Sequence, residues 1–354
     1  MSIAKTVSIL LLGLVGCGGS GPQPYAEDDT LTLRVVSQFP RESVLAAGTR
    51  MFGEELQQIL GERLRLQGFY GSALVTGEET LGAIGHGVAD AGTGMWIYSP
   101  GRLPLGSLEY QFIFNDPDFR TQARIKREMF ETIPALAAEL EAANVAPPLV
   151  FGPLSPYLLL SREPMDDLSD LRGKRIGFTP VEYVPLFRSF GAVPILSPGP
   201  ELYERMSLGI VDVVALPVEI LYLFRLNEIA PYLLDFALNT PTPLGVWVNL
   251  DYWKALTPAD RDAFREAGRR AEQRYLTLLE GEVRKARKAL EAAGVHFTRL
   301  SDEAARDALA GIPPFARQWA DRMNGRGLPG SQVVDTYVNL SQRSGWEFGR
   351  GATH

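Results

Sequence analysis

From Leu31 onward, short apolar runs alternate with stretches whose apolar positions recur every three to four residues, the pattern of strands alternating with helices. It predicts strands over Leu31–Val36, Leu64–Phe69 and Asp90–Thr93, with helices over Ser43–Leu60 and Glu78–Gly87 between them. After an irregular stretch rich in Gly and Pro, Asp118–Ala143 reads as helical, and Pro148–Phe151 and Tyr157–Ser161 as strands. A second series follows, with strands Lys174–Phe178, Val193–Leu196 and Val211–Ala215 alternating with helices Val181–Phe190, Glu201–Leu208 and Val218–Asn227. Leu244–Leu250, carrying Val246, Trp247 and Val248, suits a half-buried strand.

Thr257 then caps a helix that can run to Ala293, with Asp260 completing a variant capping box and Gly294 as its stop. Such a helix is roughly 50 Å long. That exceeds a small lobe, so it either lies across two lobes or breaks near Gly281, and the spanning form is the one we expect. A strand over Val295–Arg299 and helices over Asp302–Asn324 and Gln332–Gly345 close the chain.

A length of 354 residues fits two lobes, and 45% hydrophobic with 22% charged residues supports a packed core. The net charge of −7 is spread along the chain, which leaves no continuous basic surface and argues against nucleic acid as a partner. Residues 1–16 read as an export signal, with Lys5 ahead of the apolar run Val7–Val15. That run is too short to span a bilayer, and none after it is long enough. Cys17, the single cysteine, excludes an internal disulfide and a cysteine-based metal site. Residues 18–29, rich in Gly, Pro and acids, read as a flexible tether.

Leu14-Val15-Gly16-Cys17 resembles a bacterial lipobox, which implies lipidation of Cys17 and a protein anchored to a membrane on the periplasmic side. The segments Asp167–Ile176, Phe190-Gly191-Ala192, Glu201-Leu202-Tyr203, Gly209–Asp212 and Asn249–Trp253 with Leu256-Thr257-Pro258 resemble the extracytoplasmic solute receptors of TRAP transporters, the DctP-type family. The resemblance covers roughly residues 30 to 320. It implies an α/β, two-lobed periplasmic-binding-protein-like fold with hinge strands and a long lobe-spanning helix. The expected divisions are lobe I over residues 30–153, lobe II over 154–243, and a return to lobe I over 244–354. It also implies a small-molecule ligand held in the interlobe cleft and passed to TRAP membrane permease subunits, with no cofactor.

The family's usual member grips its ligand's carboxylate with an arginine at the end of the strand after the Gly-Lys-Lys-type turn, because a guanidinium fork meets both oxygens. That position is Gly177 here; a second arginine is replaced around Pro156-Tyr157, and a polar asparagine by Leu216, beside Pro217. Without these groups the desolvation of a carboxylate goes uncompensated, which points to an apolar or monocarboxylate ligand. Candidate lining residues are Phe39, Tyr70, Trp96, Phe112, Phe114, Tyr157, Tyr183, Tyr222 and Trp247, each near a predicted strand end or facing helix start. Gln38 offers one hydrogen bond, and Thr179-Pro180 opens a helix whose N–H groups suit an anionic oxygen. Glu182 and Glu219 begin two second-lobe helices, where they either complement helix dipoles or favour a cation or hydroxyls in the cleft.

His86, His296 and His354 have no metal spacing, and the chain lacks a Gly-x-Ser-x-Gly elbow and a phosphate-binding loop, so no enzyme is expected. Two other readings stay open. One is a lipoprotein that presents a ligand or carries a lipid without a permease; the other is an enzyme on a binding-protein fold with Glu182 and Glu219 as acid and base.

Overall fold

The computed structural model describes residues 25–26, 29–301, 303–304, 307 and 312–346; residues 1–16, expected to be an export signal, Cys17 and His354 lie outside them. The chain opens with β1 (Leu31–Val36), α1 (Val44–Leu60), β2 (Leu64–Phe69), α2 (Thr80–Gly85) and β3 (Ala91–Met95). Ser43 caps α1, its side chain accepting from the Ala46 N–H. The single helix expected over Asp118–Ala143 is two, α3 (Phe119–Thr132) and α4 (Pro134–Glu141). Pro134 has no N–H to continue the ladder and holds Ile133 extended at φ −116°, ψ 95°. In place of one strand over Pro148–Phe151 stand two short pieces, β4 (Val145–Ala146) and β5 (Phe151–Gly152).

The second series is β6 (Tyr157–Ser161), β7 (Arg175–Phe178), α5 (Tyr183–Ser189), β8 (Val193–Leu196), α6 (Leu202–Ser207), β9 (Val213–Pro217), α7 (Val218–Leu223) and β10 (Tyr232–Asp235). β10 was not foreseen; it is four residues long and is held by strands on both sides rather than by its own pattern. The chain continues through β11 (Leu244–Asn249), α8 (Leu250–Ala255), α9 (Pro258–Ala292) and β12 (His296–Arg299). Helices Phe315–Gly325 and Gly330–Arg343 follow.

Two sheets result. The first has the order β2-β1-β3-β11-β4, with β5 also on β11; the second has the order β12-β10-β6-β9-β7-β8. β1 runs parallel to β2 and β3, while β11 returns antiparallel to β3. Residues 244–354 do not all return to the first lobe. β12 pairs in parallel with β10, Tyr232 opposite His296 through Asp235 opposite Arg299, because α9 is long enough to carry the chain back to the second sheet.

α9 runs unbroken for 35 residues. Thr257 caps it, accepting from the Asp260 N–H at 3.1 Å and donating to the Asp260 carboxylate at 2.7 Å. Gly281 does not break it: a Cβ there would meet nothing within 4 Å. Its buried stripe of Phe264, Ala267, Ala271, Tyr275, Leu276, Leu279, Ala286 and Leu290 faces both lobes. Arg274 reaches Glu54 and Glu55 of α1 at 2.9 and 2.6 Å, and Arg287 reaches Asp235 of β10 at 2.7 Å. One helix is therefore pinned to both lobes.

Two extended segments also join the lobes, and they pair with each other. Leu154 N–H donates to Pro241, Tyr157 N–H to Asn239, and Leu238 N–H back to Tyr157. Asn239 is fully buried; its Nδ2 donates to the carbonyls of Glu109 and Phe112, both at 2.7 Å, and its Oδ1 accepts from the Tyr183 hydroxyl at 2.9 Å. This one amide thus ties a second-lobe helix to a first-lobe loop through the hinge.

Candidate functional site

The ends of β1, β3, β7 and β9 converge where the two lobes meet, the place where ligands settle in open α/β sheets. A slot of ≈ 40 Å³ lies there. Phe39, Leu45, Met95, Ile97 and Tyr98 line it from the first lobe, and Leu154 and Tyr157 from the hinge. Thr179, Gly199, Pro200, Leu216, Pro217, Ile220 and Phe224 line it from the second. No charged side chain is among them. A dry cavity that accepts a single benzene ring is about 150 Å³, so a ring-sized ligand enters only as the lobes move apart. Wider hollows of ≈ 490 to ≈ 590 Å³ open elsewhere on the molecule, with charged residues in their walls.

Of the residues proposed from sequence, Phe39, Tyr157, Thr179, Leu216 and Pro217 come together in the slot. Gln38 sits at its edge: its Nε2 faces the Met95 sulfur at 3.7 Å, and its Oε1 is buried with no hydrogen-bond partner. Gly177 does not face the slot. A Cβ on it would come 2.6 Å from Leu202 Cδ2 and 3.2 Å from Val211 Cγ1, so the space through which an arginine stem would leave the strand is filled by α6 packing.

Trp96 and Trp247 are elsewhere. They pack edge to face at 5.7 Å and 80°, inside the first lobe, against backbone left bare by glycines. A Cβ on Gly94 would lie 1.9 Å from the Trp247 ring, and one on Gly106 would lie 1.8 Å from that of Trp96. Phe112 packs on Tyr337 of a C-terminal helix at 4.4 Å. Phe114 holds a left-handed φ of 55° and meets Phe236 behind the hinge. Tyr70 folds over Gly68 on the first lobe, and Tyr222 lines the hollow between α1, α7 and α9.

The slot residues not anticipated had a readable signal in two cases. Ile220 and Phe224 are four apart at the end of a helix, one face of it. Met95, Ile97 and Tyr98 flank the Trp96 chosen from sequence; the short 3-10 turn Trp96–Tyr98 rotates the tryptophan inward and its neighbours out.

Behind the slot lies a buried polar layer. Tyr183 packs edge-on against Tyr157 at 5.2 Å and Tyr110 at 5.4 Å. Glu219 is 3% exposed and accepts from the Ser155 N–H at 3.0 Å and from the Ser155 hydroxyl, so it is a hinge brace and not a free cleft charge. Burial raises its pKa. Lys126, 1% exposed, pairs with Glu109 at 2.7 Å and lies over the Trp96 ring at 4.7 Å; burial lowers its pKa. Glu182 presses its carboxyl against the first-lobe loop Leu105–Gln111. Burial pushes it up to about 7, with Glu109 nearby adding to the effect. Its stem is part-exposed but Oε2 is buried without a hydrogen bond of good geometry, although Ser107 lies close enough to ease some of that cost.

Among the described residues no group of His, Cys, Asp and Glu is placed to hold a metal ion, and no helix is long and apolar enough to cross a membrane. Residues 35–321 match the family model described as bacterial extracellular solute-binding protein, family 7, DctP. The chain belongs to that family. It is a bacterial extracellular solute-binding protein.

Among its relatives is the outer membrane transporter protein TsaT of Comamonas testosteroni, 22% identical over 320 residues, 88% of this chain and 91% of that one. Solved structures share the fold. A marine metagenome TRAP solute-binding protein specific for aromatic acid ligands, in complex with 3-hydroxybenzoate, superposes with a TM-score of 0.78 at 20% identity, covering 89% of this chain and 99% of that one. A TRAP solute-binding protein from Rhodoferax ferrireducens, in complex with copurified benzoate, has a TM-score of 0.76 at 18% identity, with coverage of 89% and 99%. A Bordetella pertussis extracytoplasmic solute receptor binding pyroglutamic acid has a TM-score of 0.71 at 20% identity, with coverage of 87% and 99%.

Proposed function

We propose that this protein is the solute receptor of a TRAP-type transporter, lipidated on Cys17 after export, which captures a compact, largely apolar ligand and passes it unchanged to membrane permease subunits. The ligand is a ring-sized aromatic or similar molecule, neutral or with a single carboxylate. The observation that carries this reading is the slot wall: fourteen residues with no charged side chain, and Leu202 standing where an arginine stem would leave Gly177. A multiply charged or polyhydroxylated acid loses its water in such a wall and gains few hydrogen bonds in return. The relatives that hold benzoate and 3-hydroxybenzoate support a ring of that size, while the uronate-binding relatives are the contrasting case.

The test is native mass spectrometry of the purified protein with extraction of what it carries, followed by calorimetric titration with benzoate, 3-hydroxybenzoate and D-glucuronate. The aromatic acids bind and the uronate does not. Tight uronate binding, or recovery of a compact dicarboxylate, refutes the reading.

A further inference from the structure

Gln38 stands on the turn after β1, and that turn is held on all sides. Its carbonyl accepts from the Ser72 hydroxyl at 3.1 Å, and the next residue's carbonyl, that of Phe39, accepts from Gly71 N–H. Beneath it runs a buried hydroxyl chain, Ser37 to Thr93 at 3.0 Å and Thr93 to Thr49 at 2.7 Å. From this fixed base the side chain reaches Met95, a wall of the slot.

Its amide is only half served. The sulfur of Met95, a weak acceptor, holds the Nε2 end at 3.7 Å and does nothing for Oε1. Oε1 is an acceptor out of reach of solvent and without a partner in the protein. An acceptor buried in that way costs the folded state its lost water and returns nothing until a donor arrives.

We propose that Gln38 determines specificity, by requiring its ligand to carry a hydrogen-bond donor, a hydroxyl or N–H, on the edge of an otherwise apolar ring. This rests on the proposed function above, which concerns the apolar wall, and adds the one group that distinguishes between ligands of equal shape. A ligand that brings the donor satisfies Oε1; one that lacks it closes the slot over an orphaned oxygen.

The experiment compares benzoate with 3-hydroxybenzoate as probes, by calorimetric titration, on the wild type, Gln38→Leu and Gln38→Glu. The wild type favours the hydroxylated ring about tenfold. Gln38→Leu binds both rings about equally, retaining benzoate, and Gln38→Glu, which keeps acceptor oxygens, restores the preference. Equal binding of both rings by the wild type overturns the inference, as does an undiminished preference in Gln38→Leu. If Gln38→Leu fails to fold, the wild-type ratio and its survival in Gln38→Glu decide the matter alone. Should the wild type bind neither ring, the apolar-ring reading falls and this inference with it, an outcome distinct from binding both without preference.

Discussion

Replacing Glu182 by glutamine gives a stability difference that depends on pH in a direction fixed by the lobe contact. The carboxyl faces Ser107, Glu109 and Tyr110 from the first-lobe loop, Tyr157 from the hinge strand and Tyr183 from its own helix, and among the described residues no cation answers it. Its pKa of about 7 lies above the ordinary 4.5. A group whose folded pKa is raised contributes fully below the unfolded value and loses that contribution as pH climbs through the folded one. Between pH 4.5 and about 7 the wild type therefore accumulates a penalty, up to about 3 kcal/mol at 1.36 kcal/mol per tenfold. Separation of the lobes returns the carboxylate to water, so the penalty is limited by the cost of opening. Urea unfolding at pH 4.5 shows wild type and Glu182→Gln alike; at pH 8 the variant is more stable by about 1–3 kcal/mol. Glu139, also pushed up to about 7 by burial, titrates in both proteins and cancels in the difference. Spin labels at Val88→Cys and Val193→Cys, exposed positions on the two lobes, read the same event as a distance that lengthens with pH in the wild type only. A stability difference of equal size at both pH values, or none at pH 8, refutes the reasoning.

Three further outcomes follow from the packing. Lys126→Met leaves Glu109 buried and unpaired, and costs about 3–5 kcal/mol by urea unfolding, most of which is recovered when Glu109 is made leucine as well. Gly177→Ala forces Leu202 to give way and costs about 1–2 kcal/mol, with less than the sum of the single effects in Gly177→Ala/Leu202→Ala. Asn239→Ala strips the hinge of three hydrogen bonds; it lowers stability by about 2–3 kcal/mol and widens the interlobe distance seen by the same spin labels.

The strands whose alternation or apolar run stands alone, Leu31–Val36, Leu64–Phe69 and Tyr157–Ser161, were legible to the residue, and so was the 35-residue helix, which announces itself with Thr257 and Gly294. What the sequence hid was set by partners. β10 is a strand only because β6 and β12 flank it, and Pro134 splits a helix whose apolar spacing runs on regardless. The site was half legible for a related reason. A residue just past a strand is near the cleft, but which way it turns depends on a local twist; Trp96 looks inward because Gly94 and Gly106 leave room for two indoles, a fact spread over three separated segments. Glu219 read as a possible cleft charge until Ser155, 64 residues away, took both its oxygens.

The ion pairs on α9 carry a mechanical implication. Arg274 grips one lobe and Arg287 the other, thirteen positions apart on a stiff rod, about 20 Å along its axis. Neither half slides away from its partner without tearing an anchorage, so the mouth widens by swivelling about this spine, as a locket does on its pin. On the receptor reading proposed above, the mouth then opens on the side facing away from the rod, and a membrane partner meets the molecule there.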